Sequence, residues 1–474
     1  MKKGWLTRIL ISVWTSVVGI SGFLGCSSSP KPNIIYILAD DLGYGDLSCY
    51  GQAKFRTPHL DRLAAEGMRF TDHYAGSTVC APSRASLMTG FHTGHSWVRG
   101  NYETGPHGFG ACLELRPEDV TIQELLKDQG YVTGVFGKWG LGVMTTTGQP
   151  DKKGVDEFLG YLNQGHAHFY YPKYLWYNGE KMFFEDNEKG RRGTYSHDVI
   201  VEASLDFIRR HKDEPFFLYC PWTIPHAEML VPEESMSSYR GRWPETPHYS
   251  EKDGGSGHYA TQREPLAAFA GMVTRMDRDV GRILDLLKEL NLEKNTMVIF
   301  SSDNGPHHEG GHNPDFFDSN GPLRGLKRDL YEGGIRVPMI VCWPGRISAG
   351  TECNHISAFW DILPTLCDLT DAAIPDSIDG ISFLPTLLGD EDQAQHEYLY
   401  WEFHEGATTA QAVRAGKWKA VRLAPSGAIE LFDLEQDFAE TADLSETFPE
   451  VAQRMKTILD TSRTPHPIWS LKDY

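Results

Sequence analysis

Residues 33–41 read NIIYILADD. Six apolar or aromatic side chains follow one another without polar alternation, and two aspartates close the run. Such a stretch is too short for a buried helix and lacks the alternation of a half-exposed strand. It reads as a strand covered on both faces, the kind found inside a parallel sheet. The same texture recurs in MRFTDHYAGSTVC (68–80), YVTGVFGKWG (131–140), PFFLYCPWTIPH (215–226), NTMVIFSSDNG (295–305) and VPMIVCWPG (337–345), each ending in polar residues or glycine. Helical patterns lie between several of these runs, such as TIQELLKDQG (121–130) and the longer stretch 264–292. In the latter, Phe269, Met272, Val273, Met276, Val280, Ile283, Leu284 and Leu287 fall at helical spacing. Alternating buried strands and amphipathic helices predict an α/β fold: a mostly parallel central sheet with helices on both faces.

After about Gly389 the texture changes. EYLYWEF (397–403), AVRAGKWKAVRL (412–423) and AIELFDL (428–434) read as short antiparallel strands, and 448–463 as a terminal amphipathic helix. The expected division is a catalytic domain over 33–389 and a smaller C-terminal α+β domain with an antiparallel sheet over 390–474. Before them, Lys2, Lys3 and Arg8 precede an apolar run ending in FLGC, with Cys26 followed by SSSPKP. Residues 1–25 read as an export signal, resembling the lipoprotein type despite Phe23 where Leu is usual, with Cys26 the lipidated residue and 26–32 a tether. That predicts an exported chain, periplasmic or anchored at the outer membrane.

The 474 residues carry 64 acidic and 45 basic side chains, a net charge of −19. This excludes the basic footprint that nucleic acid needs. An anionic substrate would have to find a local positive site on a repelling body. Of eight cysteines, those at 49, 112, 220, 342, 353 and 367 show no metal-ligand spacing and read as single thiols.

The polar clusters that follow the apolar runs are Asp40–Asp41, Cys80, Lys138, His226 and Asp303–Asn304. Ligands of open α/β sheets bind beyond the carboxyl ends of strands. These five are therefore expected to meet at one sheet edge. Asp40, Asp41, Asp303 and Asn304 offer only oxygen donors, which suit Ca²⁺ or Mg²⁺ rather than zinc. His226 is a candidate general acid. Lys138 and Lys327 lie in glycine-flanked stretches that let backbone approach a ligand. Cys80 poses a conflict. At a helix N-terminus a thiolate would be favoured, but only three residues separate it from Arg84, too few for a phosphatase-type loop, and a hard ion asks for oxygen.

CAPSRASLMTG (80–90) resembles the signature of the type I, formylglycine-dependent sulfatases, of the alkaline phosphatase-like fold. GYVTGVFGKWG resembles the second signature, and ILADDLGYGD, TIPHAE, SSDNG and GLKRDLYEGGIRVP match further blocks in order, from about Pro32 to the C-terminus. The resemblance implies that Cys80 is oxidised by a formylglycine-generating enzyme, so that a hydrated aldehyde replaces the thiol as nucleophile. A thiol would keep the sulfate; a gem-diol can expel it. It further implies Ca²⁺ held by Asp40, Asp41, Asp303, Asn304 and modified Cys80, Arg84 holding formylglycine, Lys138 and Lys327 clamping sulfate, and His226 protonating the leaving alcohol. A sulfated carbohydrate is the expected substrate. His166 and His168, among Tyr170, Tyr171, Tyr174 and Trp176, are expected either to form a sugar platform or to belong to a self-packed loop. One departure stands out: the second signature carries His where this chain has Gly140. His307, with His308 and His312 nearby, is a candidate either for substrate binding or for replacing that base. The competing readings are a phosphodiesterase or phosphonate hydrolase on the same fold, and an inactive lipid-anchored glycan-binding relic.

Overall fold

In the computed structural model, which describes residue 1 and residues 31–473 except 102–103, 106–107, 110–112, 256–257 and 406, Asn33–Asp40 forms the expected strand, β1. The export signal and Cys26 lie outside the described residues. Along β1, Ile35, Ile37 and Ala39 enter one apolar core while Ile34, Tyr36 and Leu38 enter another, all of them buried. That is why the stretch carries no polar alternation: the period-two pleat sends each face into a different core.

The other strands follow in chain order. They are β2 (Met68–Phe70), β3 (His73–Tyr74), β4 (Thr104–Gly105), β5 (Gly108–Phe109), β6 (Val132–Lys138), β7 (Glu157–Tyr161), β8 (Tyr174–Tyr177) and β9 (Glu180–Phe183). Then come β10 (Phe216–Pro225), β11 (Thr296–Ser302), β12 (Met339–Cys342), β13 (Thr351–Cys353) and β14 (Ser357–Ala358). The ten-stranded central sheet has the order β13-β2-β12-β11-β1-β10-β6-β7-β8-β9. Its middle, β11-β1-β10-β6-β7, is parallel throughout. Antiparallel pairings are confined to its two flanks, where β12 and the hairpin β8–β9 sit. One core is closed by helices 58–66, 196–210 and 265–289, the other by helices 80–89, 122–128 and 362–370. In helix Pro265–Glu289, every apolar position expected from the spacing turns to the first core, with Leu284 only half-buried.

A second sheet, β15 (Leu399–Phe403), β16 (Ala410–Ala415), β17 (Trp418–Arg422) and β18 (Glu430–Asp433), is antiparallel throughout. Helix Pro449–Thr461 covers one face through Met455 and Leu459. Its other face, with Trp401 and Val421, packs on Tyr74, Val79 and Trp360. Cys49, Cys80, Cys220, Cys342, Cys353 and Cys367 are unpaired. No helix among the described residues is long and apolar enough to cross a membrane.

Candidate active site

β1 and β11 are neighbours, so their carboxyl ends bring the two acidic pairs together. Asp303 N donates to Ala39 O (3.1 Å), Asp41 N to Asp303 Oδ1 (3.1 Å), and Leu42 N to Ser302 Oγ (2.9 Å). Asp41 turns the chain out of β1 with φ +63°, a left-handed conformation that aspartate tolerates. Lys138 ends β6, and His226 follows the last residue of β10. Four of the five expected clusters thus sit at carboxyl ends of the central sheet. Cys80 does not. It opens helix Cys80–Thr89 after β3, which pairs with β14 in a separate two-stranded sheet, and the helix delivers it to the site from outside.

The side chains interlock. Lys138 Nζ donates to Asp40 Oδ2 (2.7 Å), and Lys327 Nζ to Asp41 Oδ2 (2.8 Å). Arg84 donates to Asp303 Oδ2 from Nε (3.0 Å) and Nη2 (2.8 Å), and from Nη1 to the Lys138 carbonyl (2.7 Å). The resemblance assigned Arg84 to the residue at position 80; with cysteine there, its donors fix the Asp303 carboxylate and the end of β6. Cys80 Sγ lies 3.3 Å from Asp40 Oδ1, and His226 Nε2 lies 3.4 Å from Asp41 Oδ2. Donor atoms of Asp40, Asp41, Cys80 and His226 all fall within 4.8 Å of one another, a group able to hold a metal ion.

The donor set suits a hard cation. Asp40, Asp41, Asp303 and Asn304 are buried. Asn304 Nδ2 donates to Asp41 Oδ1 (2.7 Å) and to the Gly305 carbonyl, while its Oδ1 is buried without a partner among the described residues. An orphaned amide oxygen beside three carboxylates is what an oxygen-liganded ion would satisfy. Gly305 is required here, because a Cβ on it would lie 1.9 Å from the Gly333 carbonyl oxygen. That contact presses the Asn304 loop against the stretch after Lys327.

Burial dominates the electrostatics. It would raise Asp40, but Lys138 and Arg84 hold that carboxyl well below its ordinary range. Burial and then Asp40 push Asp303 up to about 7. The Cys80 thiol is pushed well up, by burial first and Asp40 second. The thiolate that the helix N-terminus alone would favour is thus opposed here, in line with the sequence reading that set a thiolate nucleophile aside. Burial and the Lys327 charge lower His226 to about 4.

The three histidines expected near the substrate separate. His168 stacks on His226 (4.7 Å between centroids, 15°), with a buried Nδ1 that has no partner. His307 also stacks on His226, at 5.6 Å between centroids. Its Nδ1 accepts from Glu309 N (3.0 Å) and its Nε2 meets the Pro225 carbonyl (3.2 Å), so both ring nitrogens are committed to backbone. His166 turns away from this group and packs on Tyr174 and Tyr161.

Sequence reasoning named Tyr170 only as a ring beside His166 and His168 and did not name Glu309; both prove to be supports. Tyr170 OH reaches the Thr223 and His226 carbonyls (2.7 and 2.6 Å) and steadies the His226 turn. Glu309 takes hydrogen bonds from Tyr259 and Arg328 at 2.7 and 2.8 Å. Neither carries a local signal, because each acts across a large sequence separation.

Fold and site together define a hydrolase for an oxyanion ester, with converging cations and an imidazole set on a buried acidic pair. The sulfatase profile matches residues 32–372 and the profile of the N-sulphoglucosamine sulphohydrolase C-terminal region matches 325–464. The chain belongs to the sulfatase family, and it is a sulfuric ester hydrolase. It is 33% identical over 444 residues to N-acetylgalactosamine-6-sulfatase of Canis lupus familiaris, covering 88% of this chain and 75% of that one. It is 29% identical to N-acetylgalactosamine-6-O-sulfatase of Bacteroides thetaiotaomicron, covering 94% and 98%. The crystal structure of Ps i-CgsB superposes with a TM-score of 0.78 at 29% identity, over 93% of this chain and 95% of that one. The same protein is known in complex with k-i-k-neocarrahexaose.

Proposed function

We propose that this sulfatase removes sulfate from a sulfated sugar or oligosaccharide, with Cys80 matured to formylglycine and Ca²⁺ held by Asp40, Asp41, Asp303 and Asn304. The observation that carries the reading is the meeting of Lys138, Lys327, His226 and Cys80 on one buried Asp40–Asp41 pair. Calcium would supply charge for the sulfate oxygens, and formylglycine an oxygen nucleophile in place of the thiol.

The chain's own residues do the rest. Lys138 and Lys327 donate to sulfate oxygens where charge develops, in a site closed to water. Arg84 keeps Asp303 from turning away. His226 would protonate the leaving alcohol oxygen once the anionic ester beside it raises the proton affinity of a ring that burial and Lys327 otherwise hold neutral, and its stacking on His168 and His307 fixes the ring plane. The sugar assignment rests on the relatives, two of which are N-acetylgalactosamine 6-sulfatases while a third binds a carrageenan hexasaccharide. Retention of the whole set of lysines, arginine, histidine and cysteine disfavours the silent glycan-binding reading. The export signal and lipidated Cys26 belong to this proposal too, as does location in the periplasm or at the outer membrane. Loss of palmitate labelling in Cys26→Ser would support the anchor.

The test is a panel of position-defined sulfated mono- and disaccharides, starting with 6-O-sulfated N-acetylgalactosamine, with an aryl phosphonate as control. Sulfate release by protein coexpressed with a formylglycine-generating enzyme, absent in Cys80→Ala, supports the reading. Release from the phosphonate alone overturns it.

A further inference from the structure

The hairpin β8–β9 ends the central sheet on the side nearest the histidine stack. Its cross-strand pairs are Tyr174–Phe183, Leu175–Met182, Trp176–Lys181 and Tyr177–Glu180. Directly paired residues share a face. Leu175 and Met182 turn into the first core. The opposite face therefore carries Tyr174, Trp176, Lys181 and Phe183 together. Tyr174 lies 5.9 Å from Trp176 and 5.8 Å from Phe183, centroid to centroid. Phe183 is 67% exposed. Lys181 Nζ stands 4.3 Å from the Tyr174 centroid and 5.3 Å from that of Trp176. Among the described residues no carboxylate pairs with Lys181, on a chain whose net charge is −19.

This face is tied to the active site by one turn of chain. Tyr174 packs on His166 at 4.6 Å. His166 begins the short 3₁₀ turn His166–His168, whose last residue stacks on His226. One turn of chain thus holds both the ring beside the reacting bond and the ring beside the hairpin. Burial, followed by the nearby Lys181 charge, lowers His166 to about 4, so at neutral pH it contributes a neutral ring.

We infer that the Tyr174–Trp176–Lys181–Phe183 face is a subsite for a neighbouring sugar unit of the sulfated chain whose ester is cleaved at Cys80. The rings offer flat apolar area to the C–H face of a pyranose, at small entropic cost because aromatic side chains have few rotors. The Lys181 ammonium, held over two rings, offers a point charge to a sulfate or carboxylate on that unit. A neutral glycan would leave the cation unused, and an apolar partner would have to bury it. The occupant with matching chemistry is an anionic oligosaccharide, so the enzyme is built for a chain rather than a single sugar. This inference rests on the sulfatase reading above.

The test compares 6-O-sulfated N-acetylgalactosamine with a chondroitin 6-sulfate hexasaccharide, using the matured enzyme and the double variant Lys181→Ala/Phe183→Ala. Expected is a loss of about tenfold or more in kcat/KM on the hexasaccharide, carried by KM, with the monosaccharide changed less than about twofold. Lys181→Arg should retain most hexasaccharide activity. An equal loss on both substrates, or none on either, overturns the subsite. Should the wild type cleave neither, the sulfatase reading is what fails. Hexasaccharide binding by Cys80→Ala, with and without the double substitution, then decides the subsite on its own: equal affinities overturn it, and weaker binding by the substituted protein sustains it.

Discussion

Lys327 Nζ lies 2.8 Å from Asp41 Oδ2, and both side chains are nearly closed to solvent. The Lys138–Asp40 pair repeats the arrangement at 2.7 Å, and Arg84 serves Asp303. Three acids and three bases cancel, which leaves no surplus charge for a sulfate ester. A divalent cation would restore it. Calcium is therefore expected to raise the melting temperature of the wild type, and Asn304→Ala and Asp303→Asn should lose most of that rise. Chelation should abolish turnover and added Ca²⁺ restore it. A melting temperature indifferent to Ca²⁺, with no metal by elemental analysis, would exclude the site.

The same pairing predicts the cost of breaking it. Lys327→Ala leaves Asp41 buried beside His226 with its cation gone. Removing one member of a buried pair costs about 3–5 kcal/mol because the other charge is stranded. Urea unfolding should show this loss, and kcat/KM should fall at least about a hundredfold for want of a sulfate donor. Wild-type stability in the variant would mean that water reaches Asp41 freely.

Cys80 is 3% exposed, and both burial and Asp40 disfavour its thiolate. Unmatured protein should therefore resist iodoacetamide at pH 7.5 and react fully once denatured. After coexpression with a formylglycine-generating enzyme, the peptide spanning Val79–Arg84 should lose the thiol mass and gain hydrazide reactivity. Turnover by Cys80→Ala would refute the assignment.

Much of this arrangement was legible in residues 33–41, because a strand buried on both faces leaves a one-dimensional trace. Asp40, Asp41, Asp303 and Asn304 follow such strands and were found that way. Cys80 escaped the rule, since a helix from another layer carries it in. The Arg84–Asp303 pairing was also hidden, because residues 219 positions apart meet only once helix Cys80–Thr89 packs against the end of β11. The antiparallel flanks have the same cause: β12 reads like β11, and only the connection between them sets its direction. Glu309 left no trace and Tyr170 was legible only as an aromatic ring, as the role of each needs a partner fixed by tertiary packing.

Asp46 supplies a pH dependence away from the site. Its carboxyl is buried, with one oxygen accepting from Gly43 N (2.8 Å) and Ser319 close enough to offset part of the burial. Burial chiefly raises it from 3.8 to about 8. Between those values the folded chain holds a proton that the unfolded chain releases. Stability from this group is thus present at low pH and lost as pH rises towards 8, with a limiting slope of about 1.4 kcal/mol per pH unit. Asp46→Asn keeps the acceptor and removes the titration. Its melting temperature relative to wild type should climb steadily from pH 5 to pH 8; a constant difference would place the Asp46 pKa outside that window.

Gly140 stands where the resemblance places a histidine, and its backbone explains why a side chain cannot simply be put back. Its φ is +73°, and its amide donates to the Leu162 carbonyl at 3.2 Å. Any L-residue there occupies the left-handed region at about 1–2 kcal/mol. Gly140→Ala and Gly140→His should both lose about that much stability, and Gly140→His should not raise kcat. His307 is no ready replacement, because taking up a proton would cost it the Glu309 amide that its Nδ1 accepts. His307→Ala is therefore expected to loosen the 305–312 loop and lower the melting temperature, without separating ester cleavage from turnover. Rapid mixing with an aryl sulfate distinguishes the cases. One equivalent of leaving alcohol followed by a stall in His307→Ala would make that ring the missing base after all, whereas a steady rate, merely reduced, leaves it a wall that holds the His226 ring in place.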